Sequence, residues 1–170
     1  MKRQPWTAHV FNLDIDPGWA DNILSRLKGT EIKLRHYCQH IPNEQLIHKP
    51  NESWSIKEHI GHLIDLEPLH EKRLHEFASL KTELSAADMS NLATEKAHHN
   101  LRPLEDLIID FAQGRTSFIK EYHSLPEQSL YHMATHPRLK VGMKPVDLLF
   151  FVAEHDDHHL TTILERINAQ

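Results

Sequence analysis

Apolar side chains recur at intervals of three and four along four long stretches of the chain, a period that predicts amphipathic helices rather than strands. The first stretch follows Asp16-Pro17, a capping residue with proline at the first helical position, and runs to about Ile41. Gly29-Thr30 predicts a bend or interruption within it. The second opens at Ser55-Ile56-Lys57-Glu58, where the serine can accept from the third helical amide and the glutamate can reach back to the serine amide. It continues through Ile60, Leu63, Ile64 and Leu74 to about Leu80, with Pro68 expected to bend it. The third starts near Pro103 and carries Leu104, Leu107, Ile108, Phe111 and Phe118 to about His123. The fourth begins at Pro145 and carries Leu149, Val152, Leu160, Ile163 and Ile167.

Two long connections separate these stretches. Residues 81–100 are polar, with room for a short helix, and residues 125–144 contain Pro126, Pro137 and Gly142. No segment shows sustained alternation with hairpin turns, and no repeat or compositional break divides the chain. The expectation is an all-α single domain over residues 1–170, a four-helix bundle with long crossover connections. Helices of about 20–25 residues span about 30–37 Å at 1.5 Å per residue.

Composition narrows the functional classes. The 170 residues are 39% hydrophobic and 25% charged, enough for one core. Mean hydropathy is −0.53, and no apolar run approaches the roughly 18 residues of a membrane span. The stretch Met1-Lys2-Arg3-Gln4-Pro5-Trp6 has two basic residues with no apolar run behind them, so no secretory signal is expected. A single cysteine, Cys38, forms no internal disulfide and suits a reducing compartment, so the expected location is cytoplasmic. Nineteen basic against 24 acidic residues argue against a nucleic-acid partner, and neither is a membrane expected. The expected partner is a small-molecule substrate.

The unusual feature is 16 histidines, the commonest metal-ligand type. Composition alone yields about one or two pairs at a four-residue separation, and three occur: His36/His40, His132/His136 and His155/His159. Context separates them. His132/His136 precedes Pro137 in an expected loop, where that spacing imposes no common face, and a surface position accounts equally well for His36/His40. His155 and His159 lie in Glu154-His155-Asp156-Asp157-His158-His159, beside the apolar stripe of the fourth helix, with His158 directed toward solvent. Side chains four apart on a helix can meet one ion. Two carboxylates fall within apolar stripes: Asp156 on the fourth helix and Glu67 on the second. Each must find a partner, either a ring nitrogen of a ligand histidine or an arginine such as Arg115. Capping explains Glu58, packing or a site wall explains Trp54, and Cys38 reads as an unreactive buried thiol.

The segment Trp54-Ser55-Ile56-Lys57-Glu58-His59-Ile60-Gly61-His62-Leu63 resembles a signature of the DinB-like (DinB/YfiT-like) superfamily of metal-dependent enzymes. That signature is a Trp-Ser/Thr helix start with a ligand histidine eight residues after the tryptophan. The same family places an H-x-x-H-H or H-x-x-x-H cluster in its last long helix, as in His155-Asp156-Asp157-His158-His159. The resemblance implies an up-down-down-up bundle with one divalent ion held by His62, His155 and His159. On the helical wheel His62 lies at the edge of the apolar face, with His59 and His70 nearer its centre. His59 therefore stays open as the substitute ligand.

Three neutral imidazoles leave a coordination position open, as in catalytic rather than structural zinc sites. Zn²⁺ is the expected ion and Ni²⁺ the second choice, since imidazole also suits other transition metals. The resemblance further implies an enzyme that activates either a low-molecular-weight thiol cosubstrate, as a thiol S-transferase, or water, as a hydrolase. It also implies a homodimer. The rival reading is a non-catalytic metal-binding or oligomerising bundle.

Overall fold

The computed structural model describes residues 3–169; Met1, Lys2 and Gln170, included in the single domain expected above, lie outside them. In chain order the helices are α1 (Ala20–Cys38), α2 (Asn43–Leu46), α3 (Ile56–Ala78), α4 (Leu92–Lys96), α5 (Leu104–His123), α6 (Glu127–Leu130) and α7 (Pro145–Asn168). The long ones, α1, α3, α5 and α7, are those the apolar period predicts. Their starts are set locally. Ser55 Oγ accepts from the Glu58 amide at 3.1 Å while Glu58 Oε2 accepts from the Ser55 amide at 2.8 Å. Asp16 accepts from Gly18, and a short 3₁₀ turn at Pro17–Trp19 leads into α1.

Two expected distortions do not break their helices. α1 continues unbroken through Gly29-Thr30, and the buried Thr30 hydroxyl donates to Asp156 at 2.8 Å. α3 continues through Pro68, whose ring sits on the exposed side, where water can satisfy the carbonyl that loses its donor.

The core has two layers. One joins Leu24 and Leu27 of α1 to Leu74 and Phe77 of α3, Phe118 of α5 and Val152 of α7. The other joins Leu34 of α1 to Ile60 and Leu63 of α3, Phe111 of α5 and Leu160 and Ile163 of α7. The N-terminal halves of α1 and α7 thus meet the C-terminal halves of α3 and α5. That register makes the bundle up-down-down-up. α1 packs between α5 and α7, as does α3, so the consecutive long helices α1 and α3 lie across a diagonal. Long crossovers are the consequence.

The connections that follow α3 and α5 pair with each other. β1 (Ala134–Thr135) and β2 (Gly142–Met143) form a small antiparallel hairpin that the sequence does not predict. Two-residue strands are too short to show alternation. Thr135 bonds Thr82 and Leu84 of the other connection through its amide and carbonyl, at 2.8 and 3.1 Å. Between the core layers a buried polar group links all four long helices. Arg115 of α5 donates to Glu67 of α3 at 2.6 and 2.9 Å and to both oxygens of Asp156 of α7, and Thr30 of α1 completes it. Two carboxylates share one guanidinium, and burial raises the Glu67 carboxyl to about 7.

Candidate metal centre

α3 presents His59 and His62 toward α7, which presents His155, His158 and His159. Ligand atoms of His62, His155 and His159 lie within 4.8 Å of one another, and all three residues are buried. The Nε2 atoms of His155 and His159 are 3.1 Å apart, and the His62 ring centroid is 5.3 and 4.9 Å from theirs.

Neighbouring hydrogen bonds set which nitrogen of His62 is free. Thr94 of α4 donates its only hydroxyl proton to Asp65 Oδ2 at 2.8 Å. The 3.2 Å contact between Thr94 Oγ1 and His62 Nδ1 must therefore be donated by the ring. That places the proton on Nδ1 and leaves the Nε2 lone pair unprotonated. His99 reinforces the arrangement by contacting the same Asp65 oxygen at 2.9 Å. At His159 the Nδ1 side faces Nδ1 of His59 at 2.9 Å, so Nε2 again points toward His155. These outer bonds orient imidazoles as metal ligands require.

Burial keeps the rings neutral. Desolvation, reinforced by the crowding of neighbouring histidines and, at His155, by Arg115 and Arg138, holds His155 and His159 well below the usual histidine range. Desolvation also brings His62 down to about 4 and His59 to about 3. Neutral imidazoles whose unprotonated nitrogens converge repel one another across a short gap unless a proton or cation lies among them. The donor set fits a borderline divalent ion.

The sequence expectations fall out unevenly. His62, the motif position, joins the triad, whereas His59 stands behind His159, and its own Nε2 is buried without a partner among the described residues. Asp156 and Glu67 bond Arg115 rather than a histidine, because the arginine projects between α3 and α7 and takes both. His158 does not simply face solvent. It is half-buried, 5.6 Å from the Trp6 ring, because the segment before α1 folds across α7. His36 and His40 are exposed. His132 donates to the Lys81 carbonyl, whereas His136 is buried against Phe151, so that pair shares no face. Trp54 walls the site, with its ring 4.6 Å from His62 and its indole N–H donating to Glu95. Burial pushes the Cys38 thiol up to about 12, consistent with an unreactive side chain.

Several contributors were not anticipated. Asp65 stands three residues after His62 on one helix, a spacing that could have suggested a partner. Thr94 and His99 come from a polar connection with no period to place them, and Trp6 packs on His155 at 5.0 Å from outside the bundle. A cavity of about 500 Å³ opens beside the triad and is lined in part by Trp6, Trp54, Phe151 and His158.

Three buried imidazoles from two antiparallel helices, next to a cavity, define a class of helical-bundle proteins with an internal three-histidine centre. The family model of the DinB superfamily matches residues 26–163, and the chain belongs to that superfamily. The fold is also similar to a solved structure from Bacillus subtilis, YfiT, described as a probable metal-dependent hydrolase with an unusual four-helix bundle topology. That likeness has a TM-score of 0.78 at 16% identity, covering 93% of this chain and 91% of the other. No curated protein matches the chain. Among the described residues, no helix is long and apolar enough to cross a membrane.

Proposed function

We propose that this chain is a metal-dependent enzyme in which His62, His155 and His159 hold one divalent ion, Zn²⁺ before Ni²⁺, at the wall of the cavity. The observation that carries the reading is the convergence of three buried, neutral imidazoles beside space for a guest. A divalent ion with an open position supplies Lewis acidity that favours the deprotonated form of water or of a thiol. The protein's own part is orientation. Thr94 and Asp65 hold the proton of His62 on Nδ1, His59 faces the outer nitrogen of His159, and Trp54 and Trp6 shield the rings from bulk water.

The reaction we favour is transfer of a low-molecular-weight thiol to an electrophilic small molecule, since the cavity extends well beyond the space a water would need. Hydrolysis is the second reading, favoured by the description of the Bacillus subtilis structure. Both use the same ligands. Location in the cytoplasm and assembly as a homodimer belong to this proposal. Metal analysis of protein purified without chelators should find one ion per chain, lost together with all activity in His155→Ala and retained in His158→Ala. Thiol-conjugation and ester-hydrolysis assays on the same preparations separate the two reactions. A His155→Ala protein that keeps stoichiometric metal would refute the assignment.

A further inference from the structure

The face of α3 that carries His62 continues as Leu66, Leu69 and Arg73, at i+4, i+7 and i+11, and all four residues line the same cavity. Eleven residues advance the helix by about 16 Å, so the stripe runs from the histidine triad across an apolar stretch to a guanidinium. Arg73 is almost fully buried, at 2% exposure. Its Nε and Nη2 donate to the Ser85 carbonyl at 3.0 and 2.9 Å, and its Nη1 has no acceptor among the described residues. Glu76, the nearby acid, is occupied by the Ser85 amide and hydroxyl and by Lys81.

Two further donors line this end of the cavity. Arg138 lies over the Trp6 and Phe151 rings at 6.0 and 5.9 Å, and its Nη2 is buried without an acceptor among the described residues. His136 Nδ1 accepts from the amides of Arg138 and Leu139, which places its proton on Nε2, and that nitrogen too is buried and unpartnered. Desolvation outweighs the attraction of Glu76 and, with Arg138 beside it, brings Arg73 down to about 10. The acid on the cavity wall, Asp88, accepts from Ser90 and Leu92 and caps its own turn. Buried cations are costly unless something negative meets them.

We propose that the end of the cavity formed by Arg73, Arg138 and His136 binds an anionic oxygen group, carboxylate or phosphate, of a small substrate or cosubstrate whose apolar middle lies along Leu66 and Leu69. The placement of the reacting end at the triad rests on the metal-centre reading, whereas the anion contact does not. Three donor groups with free N–H bonds and no acceptor among the described residues match the multiple lone pairs of such a group, and charge-assisted bonds of this kind are the strong ones.

The test compares 4-phenylbutyrate, its neutral amide and the matching phosphonate by calorimetry, on the full chain with metal and after chelation. The acid or the phosphonate should bind at least about ten-fold tighter than the amide in both states. The better of the two identifies the anion class. Arg138→Gln should remove that preference while leaving metal content and amide binding unchanged. Equal affinity for acid and amide in wild-type protein would overturn the inference without recourse to any variant. So would an unchanged preference in Arg138→Gln, or anion binding that disappears with the metal. Protein that takes up no ion even from excess Zn²⁺ or Ni²⁺, yet keeps the preference, contradicts the metal reading alone.

Discussion

Thr94 has one hydroxyl proton, and Asp65 takes it. The remaining lone pairs of that oxygen can therefore only accept, which directs the His62 Nδ1 proton outward and its Nε2 toward α7. Removing the hydroxyl should leave the ligand in place but free to rotate or change tautomer. Thr94→Val, of nearly equal volume, is expected to weaken metal binding by about 10- to 100-fold with little change in helix content. A competition titration against a chromophoric chelator measures this, and wild-type affinity in the variant would contradict it. At this scale the sequence was only partly legible. The positions of the histidine triad could be named from two motifs, but which of His59 and His62 joins His155 and His159 needed the third dimension, because both lie on the α7-facing side of α3. The outer contacts of Asp156 were open for a similar reason, since no period tells which of two helices an arginine will reach.

At the scale of elements, α3 does most to build the site, and Gly61 controls how closely the connection before α5 approaches it. A Cβ at Gly61 would come within 2.2 Å of the His99 ring, so the ring would have to leave. His99 would then lose Asp65, and with it the support for Thr94 and His62. Gly61→Ala should thus lower both thermal midpoint and metal affinity, although alanine alone would favour a helix by up to about 1 kcal/mol. A raised midpoint with unchanged affinity would show that the approach is looser than described. The four long helices were readable in advance because each has a sustained apolar stripe, and Ser55-Glu58 marks the start of α3. The hairpin was not, because its strands are two residues long, nor was the pairing of the two connections, whose contacts join Thr82 and Leu84 to Thr135, about fifty positions away. That pairing also brings His136 and Arg138 to the cavity, which explains why no local signal placed them there.

On the scale of the whole molecule, the histidines make folding sensitive to acid. His59, His62 and His136 titrate at about 3, 4 and 3 in the folded chain, against about 6.5 when unfolded. Between those values the unfolded state binds more protons, so stability is full above about pH 6.5 and falls as the pH is lowered toward 3–4. Each group accounts for about 2 kcal/mol at pH 5, at about 1.4 kcal/mol per pKa unit. Glu67 acts in the opposite sense, because its carboxyl is raised to about 7 and favours the folded state at lower pH. One such group offsets about one histidine. Urea unfolding of the chelated protein should therefore show a net loss of at least roughly 4 kcal/mol from pH 7 to pH 5. A stability that is flat or rising over that interval would mean these rings are solvated.

The most direct measurement is anomalous diffraction, at the absorption edge of the ion found by elemental analysis, from crystals grown without chelator. We expect a single peak among the Nε2 atoms of His62, His155 and His159, with His59 outside bonding distance. A peak elsewhere, or an ordered triad with no ion in protein supplied with excess Zn²⁺ and Ni²⁺, would contradict the account.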